Sequence, residues 1–137
     1  MKILDCHLFD SILGEAKASP RHRMHLDLRT QALDEDSSWR DTSQRMLNVM
    51  MRVTVIPIHR HPETSETVIV LRGSGDEVTY DAEGNEVERV TLRYGSECSA
   101  AQVPRNTYHT FIPHEDGTVI FEAKDRAYDP KTTEEFL

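Results

Sequence analysis

The stretch IPIHRHPETSETVIVLRG, residues 56–73, constrains this chain more than any other. Alternate residues of a strand share a face. Val53, Val55, Pro57, His59 and His61 are therefore expected to point one way, into the protein interior with the two valines. Pro62 to Ser65 turns the chain, and Glu66 opens a returning strand with the parity of Val68 and Val70. Two imidazoles and a carboxylate then meet at one depth, a donor set suited to a metal ion. Glu63 is an alternative carboxylate, less favoured because it lies in the turn. A fourth donor should come from a strand distant in sequence. Pro104-Arg105-Asn106-Thr107-Tyr108-His109 supplies it, a turn that delivers His109 onto a strand shared with Phe111.

The surrounding sequence reads as short strands separated by turns, with one helix in front. Leu4, Leu8, Ile12, Leu13 and Ala16 recur at helical spacing over residues 4–18, and Ser19-Pro20 stops the helix, because proline disfavours helical geometry at the residue before it. Met24, Leu26 and Leu28 alternate with polar residues as in a strand. Residues 30–42 are polar and acidic and read as a loop over the barrel mouth. Strands are expected over 45–49, 51–59, 67–72, 77–80, 87–92, 101–104, 108–112 and 118–123, with turns at Gly73-Ser74-Gly75, 81–85, Gly95 and 114–117. Such spacing indicates an all-β sandwich or barrel. The expected organisation is a single domain: a helical and loop extension over 1–42, a barrel core over 43–125 and a polar surface tail over 126–137.

Composition narrows the function. The net charge is -8, from 16 basic and 24 acidic residues, and the one dense basic run is Arg21-His22-Arg23. A phosphate backbone would be repelled by that field, so nucleic acid is not an expected partner. No apolar run approaches the roughly 18 residues of a membrane span, and the N-terminus has no signal-peptide pattern. A cytoplasmic location and no membrane partner are the expectation. Cys6 and Cys98 match no zinc spacing and read as two free thiols. With no thiolate in the set, neutral imidazoles and a carboxylate suit one divalent transition metal, Fe, Mn, Ni, Co or Zn, rather than a structural zinc knot.

These residues resemble the cupin superfamily, whose first motif has the form G-x5-H-x-H-x3,4-E-x6-G. His59-x-His61, four residues, Glu66, six residues and Gly73 fit it, without the leading glycine. The second motif, G-x5,7-P-x-G-x2-H-x3-N, is looser: Asn106 replaces a glycine and Pro113 the final asparagine. Asn tolerates positive φ better than most residues, so Asn106 can serve the same turn. In order along the chain, SPRHRMHLDL, SQRMLNVM, IPIHRHP, ETVIVLRG, TYHT and FEAKDRAYDP resemble the WbuC family of cupin-fold metalloproteins. The resemblance implies a double-stranded β-helix, or jelly-roll, barrel with a short N-terminal helix. It also implies a metal on His59, His61, Glu66 and His109, and a setting among surface-polysaccharide and nucleotide-sugar proteins.

Catalytic residues are not fixed by these patterns. Tyr108 and Lys124 are weak candidates, as are Asn48 and Arg45, since each is more often a surface or packing residue. With Phe121 and Ala123 inward, Lys124 would point out. Arg21 and Arg23 suit the phosphate of a nucleotide sugar, against the more ordinary reading of a solvated strand edge. His7, His22, His25 and His114 have no partner at ligand spacing. The leading expectation is a metal-dependent enzyme acting on a sugar or sugar nucleotide by isomerisation, epimerisation or oxygenation. The alternative is a non-catalytic module that binds or senses a small ligand or metal. A homodimer is expected from the general habit of small barrels.

Overall fold

The computed structural model describes residues 1–29 and 41–137, so most of the expected loop over 30–42 lies outside the described residues. Helix α1 (Cys6–Ala18) is capped by the Asp5 carboxylate, which accepts from the Leu8 amide at 3.1 Å. It ends at Ser19, whose backbone is extended ahead of Pro20. Its buried face carries Phe9, Ile12 and Ala16. Leu4, expected on that face, is exposed, because it precedes the first helical turn.

Ten strands follow among the described residues: β1 (Arg23–Asp27), β2 (Gln44–Met50), β3 (His59–Arg60), β4 (Glu66–Arg72), β5 (Ser74–Tyr80), β6 (Glu86–Arg93), β7 (Ala100–Val103), β8 (Tyr108–Pro113), β9 (Thr118–Lys124) and β10 (Glu134–Glu135). They form two antiparallel five-stranded sheets, ordered β1-β2-β9-β4-β7 and β10-β3-β8-β5-β6. No strand ladder joins the two sheets among the described residues. Single backbone bonds link them at the corners, such as Asn106 N–H to the His61 carbonyl at 2.9 Å. This is a jelly-roll of the cupin type with an N-terminal helix laid on one sheet.

Gly73 lies between β4 and β5, where the chain leaves one sheet for the other. Its φ is +77°, and a Cβ there would sit 2.6 Å from Thr118 Oγ1. Only glycine meets both demands. The interval from Gly73 to Gly75 is therefore a corner within nearly continuous strand, not a free turn.

The first sheet buries both faces. Leu47, Val49 and Val119 pack outward against Phe9 and Ile12 of α1, joined by Met24, Leu26 and Phe121. Met50, Val68, Val70 and Ile120 point the other way, between the sheets, against Leu92 and Phe111. Full burial of each such side chain is worth roughly 1.5–3 kcal/mol.

One expectation fails here. Residues 51–58 are not a strand. The Thr54 amide bonds the Met51 carbonyl at 3.0 Å, closing a turn, and Pro57 brings no amide to pair. Val53 and Val55 are exposed rather than interior, at 63% and 81%. The tail does more than lie on the surface, because β10 pairs with β3 and the Phe136 amide bonds the Ile58 carbonyl at 2.8 Å.

Candidate metal centre

Four donor-bearing side chains meet at one end of the space between the sheets. One ligand atom from each of His59, His61, Glu66 and His109 lies within 4.8 Å of all the others. The convergence follows from register. His59 of β3 sits directly opposite His109 of β8, in the inner row of the second sheet. Glu66 begins β4 opposite Lys124 of β9, in the inner row of the first. His61 follows the two-residue strand β3, with its backbone carbonyl held by Asn106. Asn106 has a φ of 64°, so the residue standing where the motif has glycine adopts the left-handed turn.

The ring nitrogens are pre-sorted. His59 Nδ1 lies 2.8 Å from the Pro57 carbonyl, and His109 Nδ1 lies 2.9 Å from the Thr107 carbonyl. A carbonyl can only accept, so each Nδ1 donates to it and Nε2 is the atom each ring offers to a metal. Imidazoles that ligate metals are oriented by this kind of outer bond. The Nε2 atoms of His61 and His109 are buried without hydrogen-bond partners. His61 Nε2 is 3.0 Å from Glu66 Oε2, and His109 Nε2 is 3.6 Å from it, neither with hydrogen-bond geometry. Buried polar atoms are rarely left unpaired. Here they crowd toward a common point, and that fits a divalent cation.

Electrostatics agree with this division of roles. Burial works to raise the Glu66 pKa, but His109, His61 and the Lys124 ammonium outweigh it and hold the carboxylate well below its usual range. Burial and the neighbouring His109 push His59 down to about 4, so it stays neutral. His109 goes the other way, to about 9, because Glu66 and Glu77 outweigh its burial. Without a cation, His109 therefore keeps a proton beside Glu66, and metal binding must displace it.

The cluster opens onto a cavity of about 890 Å³, within the usual range for small-ligand sites. Lys124 lines it, with its ammonium 3.7 Å from Glu66 Oε2. The sequence left the facing of β9 open, and the structure decides it: Phe121 packs on the outer core with α1, so Lys124 faces the cavity. Asn48 also lines the cavity. Tyr108 does not join the site: its ring packs edge-on against Phe136, under the Arg60 guanidinium. Strand parity places it opposite in sense to His109. Arg45 is tied to Asp41 at 2.6 Å and Glu63 to Arg126 at 2.6 Å.

Two interior carboxylates escaped sequence reasoning. Glu122 stands on the inner face of β9 between Met46 and Val68 and lines the cavity. Glu77 of β5 is buried opposite Phe111, and neither of its oxygens has a partner. Burial, with Glu66 adding to it, pushes both up to about 8. A lone Glu within TVIFEA was an available signal for the first. Nothing in GDEVTY marked the second.

The profile of a family described as a domain of unknown function (DUF6016) matches residues 4–92, well over half of the chain. No curated protein matches the sequence. Among solved structures, CapF, the capsular polysaccharide assembling protein of Staphylococcus aureus, is similar with a TM-score of 0.62. The identity is 16%, over 82% of this chain and 32% of CapF, so the chain spans about a third of that protein. Oxalate decarboxylase from Bacillus subtilis gives a TM-score of 0.61 at 13% identity, over 82% of this chain and 28% of its own. Protein SO0799 from Shewanella oneidensis gives 0.65 at 14%, over 98% and 85%. Likeness at these identities establishes the shared cupin fold. No helix among the described residues is long and apolar enough to cross a membrane.

Proposed function

The chain belongs to the DUF6016 family and has the cupin fold, and from that premise we propose that it is a metal-dependent enzyme acting on a sugar or sugar nucleotide. The reaction class is isomerisation, epimerisation or oxygenation. The observation that carries the reading is the pair of buried, unpartnered Nε2 atoms of His61 and His109 facing Glu66 and His59 at the end of a ligand-sized cavity. His59, His61, Glu66 and His109 hold the metal. When bound, the ion supplies Lewis acidity that draws charge from a substrate oxygen. The chain's own residues supply the rest. Lys124 adds to His109 and His61 in keeping Glu66 ionised. Glu122, with its pKa pushed up to about 8, holds a proton on a carboxyl oxygen at the cavity wall near neutral pH, and there it serves as the acid or base.

CapF is described as assembling capsular polysaccharide, which supports a carbohydrate substrate; the WbuC-like stretches support the same setting. Small polar ligands, a homodimer and a cytoplasmic location belong to this reading, and nucleic acid does not, given the charge of -8.

The test begins with protein purified without added metal and assayed for Fe, Mn, Co, Ni and Zn. One equivalent is expected, and less than roughly a tenth of that in His59→Ala and His109→Ala proteins. Nucleotide sugars are then incubated in D2O and followed for deuterium entering carbon positions or for oxygen uptake. Either signal should vanish in Glu66→Gln. Full metal occupancy without any turnover would move the protein to the non-catalytic binding class.

A further inference from the structure

The cavity is polarised along its length. Its acids and ligand-type histidines lie toward one end, where Glu66 pairs with Lys124 and Glu135 lies opposite His59. Arg21, His22, Arg23 and His25 line the other. Arg23 of β1 is opposite Met50 of β2, while Glu66 shares its row with Lys124 and Gln44. Gln44 to Met50 is the full length of a seven-residue strand, which is roughly 20 Å at about 3.3 Å per residue. The space is thus long as well as large.

The turn carrying the two arginines is fixed in place. Arg21 N–H bonds Ser19 Oγ at 3.2 Å, and His22 N–H bonds the Ser19 carbonyl at 3.0 Å. His22 takes a φ of 56°, and its carbonyl accepts from both the Met51 amide and the Thr54 hydroxyl. A left-handed non-glycine residue is a conformation that packed surroundings must hold. Arg29, Arg45, Arg60, Arg72, Arg89 and Arg126 each pair with a carboxylate. Arg21 and Arg23 pair with none among the described residues. Arg52, Arg93 and Arg105 also have no carboxylate partner among the described residues, but they lie outside the cavity. In a chain of net charge -8, two guanidinium groups with no carboxylate partner among the described residues, at the end of a concave site, focus anions there.

The geometry points to a diphosphate subsite at Arg21 and Arg23 for an elongated ligand of the nucleoside-diphosphate class, whose other end reaches His59, His61, Glu66 and His109. It rests on the proposed function in taking this cavity as the substrate site. The planar fork of each guanidinium matches phosphate oxygens bidentately. Two such groups answer two phosphoryl groups, and the exposed carbon of Val53 and Val55 beside them offers an apolar wall for the nucleoside.

Calorimetric titration with uridine diphosphate, and separately with inorganic pyrophosphate, tests this on wild type and on Arg21→Ala/Arg23→Ala. Both probes should bind the wild type, and more weakly as salt rises. The double substitution should weaken binding by roughly tenfold or more while leaving metal content unchanged. An Arg21→Lys/Arg23→Lys protein, which keeps the charge and loses the fork, should fall between the two. Chelator-stripped wild type should bind the probes as well as the metal-loaded form does. Equal affinity in wild type and the alanine variant overturns the inference, as does failure of both probes to bind. Binding that disappears on chelation but survives the arginine changes places the phosphate on the metal; that sinks the inference and spares the proposed function. Arginine-dependent binding in a protein that never takes up metal does the reverse.

Discussion

The two faces of the first sheet bury their side chains to different ends. On the outer face, Leu47, Val49 and Val119 meet Phe9 and Ile12 of α1, and every member of that core is carbon-rich. On the inner face, composition changes along the strands. Asn48, Ile120 and Val70 form one row, Met46, Glu122 and Val68 the next, and Gln44, Lys124, Glu66 and Val103 the last. The interior thus passes from apolar to ionisable over two rows, roughly 13 Å. The outer core supplies stability that the inner end gives up, since buried ionisable groups are costly unless paired or bound to a metal. Substitutions should therefore separate: outer-core changes move stability without touching the site, and changes to the four donors cost metal.

The largest effect should come from the outer face. Leu47 is fully buried, and Leu47→Ala should cost about 3 kcal/mol in urea unfolding, from lost transfer energy and the cavity left behind. Metal stoichiometry should stay at the wild-type value; loss of metal in parallel would mean the two cores are not independent. Next comes Glu77, measured on metal-free protein. Its folded pKa of about 8 lies above the ordinary value of 4.5, so the stability it contributes is full below about 4.5 and is lost as pH rises through 8. Glu77→Gln removes that loss and should gain stability over wild type at pH 8 and almost nothing at pH 4.5. A difference that stays flat with pH would contradict the burial of this carboxylate. Tyr108→Ala should cost about 1–2 kcal/mol through its ring contacts with Phe136 and Arg60, with metal content unaffected. Metal loss there would show that strand parity had been misjudged. The smallest effect belongs to Asn106, at a φ of 64°. Asn106→Ala should lose about 1 kcal/mol in thermal unfolding, while Asn106→Gly should match or slightly exceed wild type.

Much of the metal end was legible because its signals are local. The motif spacing placed His59, His61 and Glu66, and Pro104 to His109 declared a turn that puts Asn106 in the left-handed region. Helix α1 was equally plain, since Ser19-Pro20 marks its stop. What failed did so where alternation carries no information. In β9 both faces are covered, one by α1 and one by the second sheet, so TVIFEA shows no contrast between inside and outside; the facing of Lys124 stayed open and Glu122 was missed. Val53 and Val55 were read into the interior from a strand that a local turn interrupts. Glu77 was hidden by polar neighbours that make β5 look solvated. The His59–His61 convergence survives the error at Val53 and Val55 because cross-strand pairing with His109, not the parity of the preceding residues, brings the imidazoles inside.

The claim beneath all of this is that one cation is held by four side chains contributed by both sheets. Anomalous diffraction at the absorption edge of whichever metal co-purifies tests it at the atoms. One peak is expected, at about 2.0–2.3 Å from Nε2 of His59, His61 and His109 and from a Glu66 carboxylate oxygen. A crystal of metal-bearing protein with no peak there, or with its peak at another pair such as His114 and Asp76, which lie 3.0 Å apart on the far side of the second sheet, would contradict it.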